Sequence, residues 1–247
     1  IAVVGYGSAG QAAALALGGD GHRVEVFERA PAVGPVGAGL LLQPSGLQAL
    51  WQLGLLDAAM AHGRRIDRLF GDLEDGRPVM DMAYAGLDPR LFGLGMQRGA
   101  LFEILHAAAA AHARLQVGSE IAEVQPRAGT LRHGDGRVSG PYDLVIAADG
   151  SASRLRGAFP RVRLDRVYPW GALWCLLPEG EWAWPRELRQ RYAAASRMVG
   201  MLPVGTRPGD SQPRLSFFWS LPRAAFADSR EAPLTTLVDE VTALWPA

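Results

Sequence analysis

The first residues able to do chemistry are glycines. Gly5-Tyr6-Gly7-Ser8-Ala9-Gly10 has the G-x-G-x-x-G spacing, and Glu28-Arg29 closes the next apolar run. Gly5 permits a tight turn out of a strand. Gly7 lacks a Cβ, so a pyrophosphate can approach the backbone. Gly10 lets the following helix lie close to the sheet. The N-terminus of that helix offers unpaired N–H groups and a partial positive charge to phosphates. Glu28 stands about 20 residues further on, where a carboxylate accepts hydrogen bonds from an adenosine ribose. The motif needs a strand before it, a helix after it and an acid ending the next strand. Ile1–Val4, Gln11–Leu17 and Arg23–Phe27 meet those three conditions. The spacing therefore predicts a dinucleotide site.

A second set lies further along. Leu144–Ala148 is a continuous apolar run, read as a parallel strand buried on both faces. It ends in Asp149-Gly150, and Ser151–Arg156 starts a short helix. The C-terminal end of such a strand is where α/β sheets place ligands. Arg98 opens a helix running to about Ala113, with Leu101, Phe102, Ile104, Leu105 and Ala108 as its buried stripe. A cation in a first turn opposes the helix dipole. Arg98 therefore either holds an anion or a carbonyl, or is a solvated surface arginine. The loop Ala30–Gly39 is rich in Gly and Pro, and either brings backbone near a flat ring or is a plain connection. His133 reads as a strand-edge residue. His106 and His112 lack the i, i+4 spacing of a metal pair. No catalytic triad, dyad or metal set is predicted.

Those groups must be positioned by a chain of 247 residues, enough for one large domain or two small ones. Lys+Arg and Asp+Glu each number 25, which argues against a nucleic-acid or anionic-membrane partner. Every basic residue is Arg, which removes a P-loop lysine, a Schiff-base lysine and a lysine base. Cys175 is the single cysteine, so neither an intrachain disulfide nor a multi-cysteine metal site is expected. No apolar run reaches membrane-spanning length and no signal peptide precedes the first strand. A cytoplasmic location is expected; oligomeric state is open. Ile1 already lies in a strand, so a trimmed N-terminus is expected.

The remaining elements follow from periodicity. Leu40–Leu42 is extended, and Pro44–Met60 forms one or two helices broken at Gly54. Arg64–Leu73 and Arg77–Met82 form a hairpin about Glu74-Asp75-Gly76. Arg114–Val117 is a strand. Glu120–Gln125, Thr130–His133 and Arg137-Val138 form a small meander. Beyond Phe159, Trp and Pro become frequent. Trp170–Leu177, Met198–Pro203 and Leu215–Ser220 read as strands, Gly205–Gln212 as a turn-rich connection and Leu234–Leu244 as a helix. Trp170, Trp174, Trp182, Trp184 and Trp219 either line an apolar, ring-accepting cavity or form a core. The fold class is α/β: a Rossmann-like domain over 1–65 and 97–158, interleaved with an antiparallel β-sheet domain over 66–96 and 159–247. The two β-rich stretches are expected to share one sheet, because an isolated hairpin is marginal in water.

Ala148-Asp149-Gly150-Ser151-Ala152-Ser153-Arg154-Leu155-Arg156 resembles the A-D-G-x-x-S-x-x-R motif of the FAD-dependent aromatic-ring hydroxylases. These are the group A flavoprotein monooxygenases typified by p-hydroxybenzoate and salicylate hydroxylases. Gly5-x-Gly7-x-x-Gly10 with Glu28-Arg29 is similar to their FAD-ADP fingerprint, and Arg98-x-x-Leu101-x-x-x-Leu105 to the helix whose arginine contacts FAD. Gly37-Ala38-Gly39 and Gln43-Pro44 fall where the family brings backbone near the flavin. The resemblance implies FAD as cofactor, NADH or NADPH as electron donor, and a small aromatic or polycyclic substrate hydroxylated with O2 through a flavin C4a-hydroperoxide. It implies cofactor-binding roles for Gly5, Gly7, Ser8, Ala9, Gly10, Glu28, Arg29, Gly39, Arg98, Asp149 and Gly150. One departure is that Trp245-Pro246-Ala247 comes before the family's later G-D-A-x-H motif. The chain is therefore expected to be C-terminally truncated, with an incomplete flavin site. Alternatives are a halogenase, a plain NAD-binding dehydrogenase with Glu28 on the ribose, and a fragment that holds no cofactor. Trp182-Ala183-Trp184-Pro185 invites the halogenase comparison but lacks that motif's Ile, and no lysine is present.

Overall fold

The computed structural model describes residues 1–158, 162–194 and 196–246. In chain order the elements are β1 (Ala2–Val4), α1 (Ser8–Gly19), β2 (Glu25–Phe27), β3 (Gly39–Leu42), α2 (Pro44–Gln52), α3 (Leu56–His62), β4 (Arg64–Ile66), β5 (Arg68–Leu73), β6 (Pro78–Ala83) and β7 (Gly93–Gln97). Then come α4 (Arg98–Ala109), β8 (Arg114–Gln116), β9 (Ile121–Gln125), β10 (Thr130–His133), β11 (Val138–Ser139), β12 (Val145–Ala147), β13 (Trp170–Pro178), β14 (Glu187–Ala193), β15 (Arg197–Arg207), β16 (Asp210–Pro222), α5 (Phe226–Glu231) and α6 (Leu234–Leu244).

Contacts divide the chain into two compact units, Ile1–Pro35 with Leu101–Arg166, and Val36–Ala100 with Val167–Ala247. The first crossing therefore falls at 35/36 rather than near residue 65. The reason is β3, which pairs antiparallel with β7 and so draws Gly39–Leu42 and the helices after it into the second unit. The boundary expected at Phe159 lies outside the described residues.

The first unit holds a parallel sheet in the order β12-β1-β2-β8. α1 covers it through Ala14, which packs with Val3, Val24 and Val26. The meander β9, β10, β11 closes a second apolar cluster over Phe27, Val124 and Leu131. Leu144–Ala148 was expected to be buried on both faces; instead β12 is an edge strand. Val145–Ala147 are half-buried and Leu144 is exposed, because among the described residues only one side of β12 has a partner strand. The short helix expected at Ser151–Arg156 is a 3-10 turn over Leu155–Ala158.

The second unit holds a six-stranded sheet in the order β13-β16-β15-β14-β5-β6. The two β-rich stretches do share one sheet. They join through β14, which the sequence pattern did not reveal, and the β14–β5 pair is parallel while its neighbours are antiparallel. β4 leaves the expected hairpin and pairs with β7. Residues expected to be a turn-rich connection extend β15 and β16 instead, leaving Pro208-Gly209 between them.

Strand alternation gives this sheet two unlike faces. On one, Leu69, Leu188, Leu202 and Val204 form an apolar cluster with Ile66 and Tyr84. On the other, Arg191 makes a two-point pair with Asp72 at 2.9 Å and 2.9 Å, and Arg189 lies between the Phe70 and Trp184 rings. The Arg191 guanidinium holds the Asp72 carboxyl below its ordinary value. Trp182, Trp184 and Trp245 cluster edge-on or tilted, whereas Trp219 is core beneath α6.

Gly95 of β7 lies so close to β15 that a Cβ there would stand 2.0 Å from the Pro203 carbonyl oxygen. Gly95→Ala is expected to destabilise the protein by about 1–3 kcal/mol, the ordinary cost of overpacking. Gly86→Ala, where a Cβ meets nothing within 4 Å, is the matched control and should be near neutral. Urea midpoints of the two variants check this.

Candidate functional site

In the first unit, β1 ends in a turn that only glycine can make. Gly5 has φ +97°, and a Cβ on it would lie 2.4 Å from the Ala148 carbonyl oxygen at the end of β12. A Cβ on Gly10 would lie 2.0 Å from the Gly5 carbonyl oxygen, so α1 rests directly on the turn. Gly7 is the N-cap of α1 and provides no side-chain cap, and the first helical turn carries no acid. Gly7, Ser8 and Ala9 are exposed, and a Cβ on Gly7 would meet nothing within 4 Å. Open space thus stands in front of uncapped N–H groups, a cradle fitted to a pyrophosphate.

Glu28 directly follows β2 and reaches back to this turn. Its Oε2 accepts the Tyr6 N–H at 2.8 Å and its Oε1 accepts the Ala30 N–H at 2.9 Å. Each carboxylate oxygen keeps a further lone-pair site for a ribose hydroxyl. Glu28 and Arg29 line one cleft with Gly5 and Asp149. Gly150, at φ +82°, follows in the turn after β12. The first unit therefore gathers the glycine turn, the acid after it and the Asp-Gly pair.

Three polar lining residues of that cleft were given no site role by the sequence: Ser119, Glu120 and Arg154. Arg154 Nη1 donates to Glu120 Oε1 at 2.8 Å. Ser119 is buried, and its hydroxyl meets His133 Nδ1 at 3.1 Å, while His133 Nε2 meets the Ser139 hydroxyl at 2.7 Å. His133 was expected at a strand edge. It is 3% exposed, because β10 is the middle strand of its sheet and the ring packs edge-on against Phe27. Burial pulls its imidazole below the ordinary value of 6.5, and the Arg137 charge adds to that.

In the second unit, a cavity of about 260 Å³ is lined by Gly39, Arg98, Trp174, Leu188, Ser216 and Phe218, among others. Arg98 side-chain atoms run beneath Gly37, where a Cβ would stand 2.6 Å from the Arg98 Cδ. Gly39 donates its N–H to the Ser216 hydroxyl at 3.0 Å. Arg98 and Gly39, separated by the whole β3–β7 stretch in sequence, thus meet at one cavity. Trp174 and Ser216 complete it from β13 and β16. Among the described residues no group of three or more His, Cys, Asp or Glu side chains is placed to hold a metal, and no helix is long and apolar enough to cross a membrane.

A parallel sheet, an open helix N-terminus and an acid with free lone pairs define a dinucleotide-binding protein of the α/β class. Residues 1–237 match the family described as FAD binding domain, and the chain belongs to that family, with the FAD-dependent aromatic-ring hydroxylases. A 3-amino-4-hydroxybenzoate 2-monooxygenase of Streptomyces cremeus is 35% identical over 65% of this chain and 42% of its own length. A probable 2-heptyl-3-hydroxy-4(1H)-quinolone synthase of Rhodococcus erythropolis is 30% identical over 76% of this chain and 49% of its own. The chain thus spans less than half of either curated relative. The solved 2-methyl-3-hydroxypyridine-5-carboxylic acid oxygenase aligns over 99% of this chain and 65% of its own, with TM-score 0.81 and 25% identity.

Two outcomes follow from the first unit. Glu28→Ala should lower stability even without a nucleotide, by about 1–3 kcal/mol, because the Tyr6 and Ala30 N–H groups lose a charged acceptor. Thermal or urea melts of the nucleotide-free protein check this. The unfolded chain protonates His133 near 6.5, but the folded chain does so only at lower pH. The stability that neutral His133 contributes is therefore present above about 6.5 and lost as pH falls from there through the folded value. Urea midpoints measured across that range should fall with pH in the parent protein and fall less in His133→Gln.

Proposed function

We propose that the protein carrying this chain is an FAD-dependent monooxygenase, taking electrons from NADH or NADPH and using O2 to hydroxylate a small aromatic ring. The observation that carries the reading is the uncapped N-terminus of α1, open in front of Gly7 and flanked by the Glu28 carboxylate. Its relatives' names, an aminohydroxybenzoate monooxygenase and a quinolone synthase, support a ring-shaped substrate. Bound FAD would relay the electrons of NADH or NADPH and supply the activation of O2.

This chain's residues bind and orient. In this reading the N–H groups of Ser8, Ala9 and Gly10 hold the pyrophosphate at a helix N-terminus, where Gly7 leaves room for it. Glu28 accepts the ribose hydroxyls with the lone pairs that Tyr6 and Ala30 leave free. Arg29, Asp149 and Gly150 border that nucleotide cleft. Within the second unit, Arg98 and the Gly39 backbone are assigned to FAD, and the apolar walls beside them exclude water. We assign no acid–base residue, since positioning and water exclusion are the protein's tasks in such chemistry. The unit of residues 1–35 and 101–166 is the nucleotide-binding one, and the other receives the ring. The cytoplasm, where reduced nicotinamide is available, is the compartment that suits this reading.

The test is a visible absorption spectrum of the purified full-length protein, followed by NAD(P)H and O2 consumption across phenols, benzoates and polycyclic phenols. A bound flavin and ring-stimulated, coupled consumption are expected. A flavin-loaded protein that no ring stimulates would reject the monooxygenase reading, and a colourless protein that binds NAD would favour a dehydrogenase.

A further inference from the structure

We infer that the ring received by the second unit's cavity is uncharged, a hydroxy- or oxo-substituted aromatic or heteroaromatic ring without a carboxylate. The inference rests on the monooxygenase reading and narrows its substrate class. The walls from Leu41, Trp174, Leu188, Leu202 and Phe218 are apolar, and Arg98 is the only charged residue among those lining the cavity. In the reading above, Arg98 serves the flavin. The charges of β14 are turned away, and Arg214 of β16, on the Ser216 face two residues away, is held by Asp210 at 3.3 Å and does not line the cavity. Glu187, Arg189 and Arg191 alternate with Leu188 on β14, and they face Arg68, Phe70 and Asp72 of β5 on the opposite side of the sheet. A carboxylate entering this cavity would meet no second cation among the described lining residues, so the hydration it gave up against the apolar walls would go uncompensated.

One side-chain hydroxyl lines the cavity. Ser216 is 5% exposed, and its oxygen already accepts the Gly39 N–H at 3.0 Å. A hydroxyl carries one donor as well, so its proton is left to donate to an oxygen acceptor on the ring. The volume of about 260 Å³ lies below the usual range for drug-sized ligands and suits one or two fused rings.

The experiment is calorimetric titration of the full-length protein, with and without FAD, using ring pairs that differ only in bearing a carboxamide or a carboxylate. The carboxamide member is expected to bind tighter by on the order of tenfold or more. Trp174 is half exposed, so Trp174→Arg adds a guanidinium at the cavity without burying it, and this variant should shift the preference toward carboxylates. Equal or tighter binding of carboxylates by the parent protein would overturn the inference. So would a Trp174→Arg variant with unchanged preference, or a parent protein that binds neither series. Failure to retain FAD would strike the monooxygenase reading instead, because ring binding is read without turnover.

Discussion

Two α-carbons without side chains hold the first unit together. Gly10 sits on the Gly5 carbonyl, and Gly5 sits on the Ala148 carbonyl, at distances where a Cβ would overlap. Through those two contacts α1, β1 and the end of β12 meet at one point. Any side chain there would lift the helix from the sheet and open the turn. The same closeness directs the first N–H groups of α1 outward, since Gly7 is exposed and unencumbered. The fold and the proposed anion site thus depend on the same absence of atoms.

Glu28 links this turn to β2 and carries two tasks at once. Its carboxylate satisfies Tyr6 and Ala30, two backbone donors that a tight turn leaves without a ladder partner. A ribose would use lone pairs that those bonds leave over. The turn therefore stands preformed, and a ligand need not supply the free energy of ordering it. Behind the cleft, the hydroxyls of Ser119 and Ser139 bracket His133, so a buried imidazole has a partner at both nitrogens.

Legibility in the sequence followed the range of the interaction. The glycine turn, the Asp-Gly pair and the acid following β2 are local signals, and the structure brings them to one unit. Leu234–Leu244 was readable for the same reason, since its apolar spacing is helical over every turn. β7 was missed because Gly93-Leu94-Gly95-Met96-Gln97 has no alternation: all five residues are buried between other strands. β14 was missed because Glu187-Leu188-Arg189-Gln190-Arg191 looks like a solvated loop. Its charges are in fact taken up by Asp72 and by aromatic faces on a strand more than a hundred residues earlier. His133 reads as an edge residue although the third piece of the meander is legible; what nothing local announces is that its ring packs against Phe27 and sits between two serine hydroxyls. Ser119 and Ser216 join their cleft and cavity only through tertiary contacts, and a lone serine leaves no pattern.

The register of β14 is where stability and recognition meet. Side chains alternate with a period of two, so a slip of one residue against β5 would carry Glu187, Arg189 and Arg191 onto the cavity face and Leu188 onto the other. Parallel pairing gives no tight turn to forbid such a slip. The side chains forbid it instead. In the observed register Arg191 meets Asp72 at two points, and Arg189 lies between Phe70 and Trp184. Arg68 makes a two-point pair with Asp81 from the neighbouring strand. A slipped strand would lose its partners here and bury unpaired charge there, and the second penalty exceeds the first. The polar ladder on one face is thus the device that keeps the β14 charges off the other. The Leu188 wall of the cavity follows from how the strands lock together, before any ligand is present.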